Sequence, residues 1–125
     1  STRQAIEEAT VLLVNPTHFA VVLRYDRDRD AAPMVLARGR GAMAQAMREL
    51  AQEKGVPIMR YPELTRAIYF TAQTGGPIDE RLYMAVATLL AFIFRINAKM
   101  DVGLNQPRLK VPDDLHFDMD GKPRK

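Results

Sequence analysis

Two short apolar runs, Thr10 to Val14 and His18 to Tyr25, follow each other with only Asn15-Pro16-Thr17 between them. Thr10-Val11-Leu12-Leu13-Val14 has no polar alternation and is too short for a core helix, so it reads as a strand buried on both faces. The second run, with Phe19, Val21, Val22 and Tyr25, has the β-branched and aromatic composition of another strand. The two pair as a hairpin or stand apart in one sheet. In either case the fold must cover both faces of the first strand, and the Asn-Pro junction sits where it ends.

The rest of the chain supplies those covers. Residues 3–9 have helix-forming composition, and Asp26 to Pro33, with its alternating Arg and Asp, reads as a solvated loop. A third strand is expected over 34–38, a turn at Gly39-Arg40-Gly41, and a helix over 42–54 with Met43, Ala46, Met47 and Leu50 at helical spacing and Gly55 as its cap. Residues 56–60 give a fourth strand whose Pro57 suits its first position or an edge. Pro62 opens a helix that Gly75-Gly76 stops, and Asp79 caps the next, whose stripe of Leu82, Ala85, Val86, Leu89, Leu90, Ile93 and Phe94 is a core face. Strands and helices alternate, so the expected class is α/β: a small four-stranded sheet surrounded by about four helices in a single domain. The expected division is a linker or helix end over 1–9, a core over 10–97, and a mobile tail over 98–125.

Composition narrows the function classes. With 125 residues, 47% hydrophobic and 26% charged, the chain fits one ordinary globular domain. It has no cysteine, which excludes disulfides and thiolate metal sites and agrees with a reducing, cytoplasmic setting. The net charge of +3 is spread along the chain rather than drawn into one basic stripe with interleaved aromatics, so nucleic acid is not an expected partner. Met84 to Phe94 is the most apolar stretch and falls short of the roughly 20 residues of a bilayer crossing. The opening Ser1-Thr2-Arg3-Gln4 leads into a charged segment without a secretory leader pattern and without Met, as expected for a piece of a longer protein.

Asn-Pro is a common turn dipeptide, and at most positions it is only that. At the end of a buried strand it has a second chemistry. An Asn side chain can be attacked by the next backbone nitrogen, or its own nitrogen can attack its own carbonyl carbon. Pro16 has no N–H, so the first route is closed. The second expels the Pro16 nitrogen, cuts the chain and leaves a C-terminal succinimide that hydrolyses to Asn or its isomer, with no metal, cofactor or outside protease. Pro also confines Asn15 to extended backbone. Anchoring strands would hold the amide near its target, and a single event completed in an hour requires a barrier of only roughly 22 kcal/mol. Thr17, by bonding the local backbone, and His18, by relaying a proton or polarising the turn, are the supporting candidates; His18 reads equally well as a half-buried residue of the second strand with no part in the chemistry.

The segment Val14-Asn15-Pro16-Thr17-His18-Phe19-Ala20-Val21 resembles the self-cleavage segment of the FlhB/YscU export switch proteins of bacterial flagella and type III secretion injectisomes. Ala32-Pro33 with Gly39 and Gly41, Gly55-Val56-Pro57, Pro62 to Tyr69 and Leu82 to Ala87 are similar to later stretches of the same family, over about residues 10–95. The resemblance implies a small sheet wrapped by helices, on the cytoplasmic side of a bacterial inner-membrane protein whose membrane part is absent here. It also implies fragments that stay associated after the cut, a change in which export substrates are accepted, and partners among other export apparatus proteins, export substrates and their chaperones. Glu8-Ala9-Thr10 departs from the family's usual Pro and Ala-Asp before the first strand, which leaves the chemistry untouched. Val111 to Phe117 is more similar to flagellar members than to injectisome ones.

Two other classes compete. A conventional enzyme would need convergent acids, bases or a phosphate cradle; Gly39-Arg40-Gly41 ahead of a helix is the nearest approach, without the full dinucleotide pattern. A metal site would need His18 and His116, at opposite ends of the chain, brought together with carboxylates. A docking module that never cuts would present Arg48, Lys54, Arg60 and Arg66 to acidic partners and use Asn15-Pro16 only as a turn.

Overall fold

A computed structural model describes residues 1–16, 18–97 and 105–124. Helix α1 (Thr2–Glu7) is capped by the Ser1 hydroxyl, which accepts from the Gln4 N–H at 3.2 Å, and leads into β1 (Val11–Asn15) and β2 (Phe19–Arg24). Strand β3 (Met34–Arg40), α2 (Ala42–Lys54), β4 (Ile58–Arg60), α3 (Pro62–Thr71) and α4 (Tyr83–Asn97) follow. The four strands form one sheet in the order β3-β2-β1-β4, antiparallel except for the parallel pair β1 and β4. This is the expected α/β architecture.

The two faces of the sheet carry separate cores, and β1 feeds both. Leu12 and Val14, with Ala20 and Val22 of β2, pack with Ile6 of α1 and Met47 and Ala51 of α2. Val11 and Leu13, with Val21 and Leu23, pack on the other face with Leu64 and Ile68 of α3 and Val86, Leu89 and Ile93 of α4. Successive side chains of a strand point to opposite faces. A central strand covered on both sides therefore has to be apolar at every position, and Val11 to Val14 are all at most 2% exposed.

Several boundaries differ from the sequence expectation: α1 ends at Glu7, β4 begins at Ile58, and α3 ends at Thr71 rather than at Gly75-Gly76. Gly39 and Arg40 belong to β3 rather than to a turn, paired with Ala20 and Phe19. A Cβ on Gly39 would lie 2.6 Å from Met47 Sδ and 2.7 Å from Met43 Cγ, so the glycine is where α2 presses onto the sheet. His18 is not the first residue of β2 but an exposed member of the turn before it. The last long helix begins as a 3-10 turn over Glu80–Leu82, with the Asp79 carboxylate accepting from the Arg81 N–H, before α4 proper.

The largest revision concerns the expected mobile tail. Residues 105–124 pack on the domain: Val111 and Leu115 are 5% and 2% exposed and belong to the same core cluster as α3 and α4. Gln106 donates to the Arg60 carbonyl and the Tyr61 hydroxyl donates to the Pro107 carbonyl. The segment closes in a tight hairpin at 116–124, where the Asp118 N–H donates to Lys122 O, the Arg124 N–H to His116 O, and Phe117 bridges Pro123. Its anchors are single side chains and backbone carbonyls, which leave no helical or strand periodicity to read. Residues 98–104 and 125, also part of the expected tail, lie outside the described residues.

Candidate functional site

The site is the end of β1. Asn15 is 7% exposed, one of the few buried polar residues among those described, and its place follows from strand alternation: after Val11 and Leu13 the next side chain on the α3 face is that of Asn15. Its backbone is fixed on both sides. Asn15 pairs with Phe19 across the hairpin, and the preceding Val14 carbonyl accepts from the Tyr61 N–H at 3.1 Å.

The turn closes on the carbonyl that a self-cutting Asn would attack. The His18 backbone N–H donates to Asn15 O at 2.9 Å, and His18 O in turn accepts from the Gly41 N–H at 3.0 Å. A hydrogen bond to a carbonyl oxygen withdraws charge from its carbon and stabilises the oxyanion that forms when a nucleophile adds. Gly41 has φ 58° and ψ −129°, backbone that a side chain resists, so a glycine there lets β3 end against the hairpin and offer its N–H to the turn.

The Asn15 side-chain amide donates from Nδ2 to Met119 Sδ at 3.6 Å. A thioether is a weak acceptor and takes no proton, so this contact places the nitrogen without binding it tightly. Met119 is held in turn, since its carbonyl accepts from Arg40 Nη2 at 3.3 Å, while the Arg40 guanidinium lies 5.0 Å over the Phe19 ring. Phe19, Tyr69, Phe70 and Phe117 form a chain of ring contacts, 4.8 Å to 5.7 Å between centroids, from the hairpin to the C-terminal segment.

Of the residues the sequence singled out, Asn15 and Pro16 stand together at the turn. His18 contributes its backbone N–H; among the described residues its imidazole meets no hydrogen-bond partner. Thr17 lies outside the described residues. Arg40, Gly41 and above all Met119 were missed by sequence reasoning. Met119 is 104 positions from Asn15, and no spacing signals such a meeting.

The competing sites fare less well. Gly39 and Arg40 end β3 and Gly41 caps α2, and the arginine is already engaged by the Met119 carbonyl. His116 faces Glu63, with Nδ1 at 3.1 Å from Oε2 and Nε2 at 2.8 Å from Val111 O, and among the described residues no group of three or more His, Asp or Glu is placed to hold a metal. The proposed basic docking face loses Arg66, which is 7% exposed and points inward to Glu63 Oε1 and the Phe117 carbonyl at 2.7 Å and 2.8 Å. Lys54 is paired with Glu7. A different surface is open: a groove of about 320 Å³ whose walls include Tyr25, Pro33, Tyr83, Ala87, Leu90 and Phe94, between the 26–33 loop and α4. None of the described helices is long and apolar enough to cross a membrane.

Comparison with known proteins shows the family. Residues 1–93 match the family model for the FlhB, HrpN, YscU and SpaS family. The flagellar biosynthetic protein FlhB of Aquifex aeolicus is 41% identical over 88 residues, which is 70% of this chain and 25% of that protein. FlhB of Salmonella typhimurium is 38% identical over 116 residues, 90% of this chain and 30% of its own length. The chain thus spans less than a third of the curated relatives it matches. The crystal structure of the cytoplasmic domain of FlhB from Shewanella putrefaciens superposes with a TM-score of 0.84 at 36% identity, covering 93% of each chain. A mutated EscU C-terminal domain superposes at 0.72 with 29% identity, over 74% of this chain and 99% of that one. Solved EscU domains include ones altered at an asparagine, at the proline that follows it and at a histidine two residues further, the spacing of Asn15, Pro16 and His18. With a family match over residues 1–93 and the fold of the FlhB cytoplasmic domain, this chain belongs to the FlhB/YscU family of export proteins.

Proposed function

We propose that this chain is the cytoplasmic part of a flagellar export gate protein that cuts itself between Asn15 and Pro16 and thereby changes which export substrates the gate accepts. The observation that carries the reading is the turn itself: an Asn at the end of a buried strand, its carbonyl hydrogen-bonded to the His18 N–H, its Nδ2 donating to a thioether, and a following proline. In the reaction Nδ2 attacks the Asn15 carbonyl carbon. The Nδ2–C bond forms as the bond from that carbon to the Pro16 nitrogen breaks. The oxyanion that forms in between is stabilised by the His18 N–H. One proton leaves Nδ2 and one reaches the departing Pro16 nitrogen, with the exposed His18 imidazole and the Thr17 hydroxyl as supporting groups. Water then opens the succinimide. The attacking group is consumed, so each chain cuts once and the activity is single-turnover.

Intact mass under denaturing conditions tests this. Wild-type chain held at neutral pH gives two fragments meeting at residues 15 and 16, and Asn15→Ala stays whole. A wild-type chain that remains whole, or an Asn15→Ala chain cut at the same bond, overturns the reading. A second reading, a docking module for export substrates, chaperones or other gate proteins, rests on the apolar groove along α4 rather than on basic side chains. A purified flagellar export substrate that binds the uncut chain and is lost on Ala87→Asp would favour it.

A further inference from the structure

The C-terminal hairpin reaches the cleavage turn with one side chain, and the way it is held marks it as part of the site. Met119 lies at the tip of the 116–124 hairpin. Below the tip, the Asp118 carboxylate accepts from the Lys122 and Asp120 N–H groups, both at 2.9 Å, and these bonds, that of Lys122 foremost, hold its pKa below the ordinary value. Gly121, at φ 81°, packs so closely on Phe70 that a Cβ there would come within 2.7 Å of the ring. The stem is fastened to α3: Arg66 Nε donates to Phe117 O, and Glu63 faces His116, Arg66 and Arg124. From this tip Met119 Sδ meets the Asn15 amide at 3.6 Å.

We propose that Met119 is a positioning residue for the cut, so that residues 105–124 complete the cleavage site rather than trail from it. This rests on the self-cleavage reading above. The Asn15 amide has to sit above its own carbonyl carbon, which requires a particular side-chain rotamer. An unpartnered amide in a half-apolar site would turn toward water or a backbone group, whereas a carboxylate partner would hold it in a strong, charge-assisted hydrogen bond that the attack must break. A thioether lies between these extremes. It is polarisable, accepts one N–H weakly and leaves the nitrogen free to move toward the carbonyl. Arg40 fixes the position of the Met119 backbone relative to the turn, because one guanidinium contacts both Met119 O and the Phe19 ring.

The test follows the cut in time, by pulse-labelled cell-free synthesis of the 125-residue chain and chase at neutral pH, beside the Asn15→Ala control. Met119→Leu keeps an apolar side chain and removes the acceptor; it is expected to slow appearance of fragment 16–125 on the order of tenfold, with the thermal midpoint of the folded chain unchanged. Met119→Gln returns an acceptor at similar reach and is expected to recover most of the rate. A Met119→Leu chain cut at the wild-type rate overturns the proposal. So does slowing that Met119→Gln fails to relieve, which would make the residue a packing element only. If the wild-type chain itself stays whole, as Asn15→Ala does, it is the cleavage reading that has failed, and the positioning role falls with it.

Discussion

Cutting after Asn15 would leave the domain in two pieces, and the structure sets how firmly the smaller one is held. Residues 1–15 contribute α1 and the central strand, and Ile6, Val11, Leu12 and Leu13 are fully buried, with Val14 at 2%. At about 1.5–3 kcal/mol for each large side chain removed from water, these five residues bring about 7–15 kcal/mol of gross burial energy. β1 also pairs with β2 over five residues and with β4 over three. Retention therefore depends on individual core side chains. Leu13→Ala removes a side chain buried against Leu64 and Ile68 and is expected to cost about 3 kcal/mol, since α3 and α4 cannot close the gap around a sheet pinned on its other face. In a nicked domain that loss appears as affinity between the pieces, on the order of 100-fold. The assay does not need the cut to occur: a synthetic 1–15 peptide and a separately refolded 16–125 chain are mixed, and exchange of labelled peptide gives the off-rate. Refutation would be a Leu13→Ala peptide that exchanges as slowly as wild type, or a wild-type peptide that does not bind at all, since either result means β1 is not the strand that holds the pieces together.

Two further outcomes are expected. Gly121→Ala sets a methyl against the Phe70 ring at a positive φ and should unseat the C-terminal hairpin, lowering the thermal midpoint by several degrees and slowing the cut; Gly75→Ala, also at positive φ but with open space around it, should cost only the backbone strain of about 1 kcal/mol. The Asp79 carboxyl is pushed down to about 2 by the Arg81 side chain and N–H, so it loses its proton more readily folded than unfolded. Its contribution is present above the unfolded value and fades as pH falls from about 4 to about 2. Asp79→Asn should therefore flatten the urea midpoint over that window, and an unchanged acid limb would show that the pair carries no net stability.

Much of this was legible because the informative residues act locally. An unbroken apolar run at β1 could only be a strand covered on both sides, Pro62 and Gly55 mark helix ends by their backbone preferences, and Pro16 restricts Asn15 to one chemistry. What escaped is non-local. Arg66 looks from its composition like a surface cation on α3, because nothing near it in sequence shows that Phe117 O will arrive 51 residues later to cover it. The C-terminal segment has the proline and charge content of a tail, yet Val111 and Leu115 enter the core and Phe117 packs against it. The sequence draws attention to the His18 imidazole, while its backbone N–H, which any residue but proline would offer, is what meets the Asn15 carbonyl.

The parallel pairing of β1 with β4 and its antiparallel pairing with β2 have a mechanical consequence. Ladder hydrogen bonds run across the strands, so a pull on the chain at Ser1, directed along β1, loads the rungs to both neighbours in shear and all at once. A break at residue 15 removes the far end of the strand from the covalent path but leaves this geometry intact. The nicked domain would resist tension along β1 much as the whole one does, and would yield more readily to a force that lifts Asn15 away from Phe19 and opens the ladder one rung at a time.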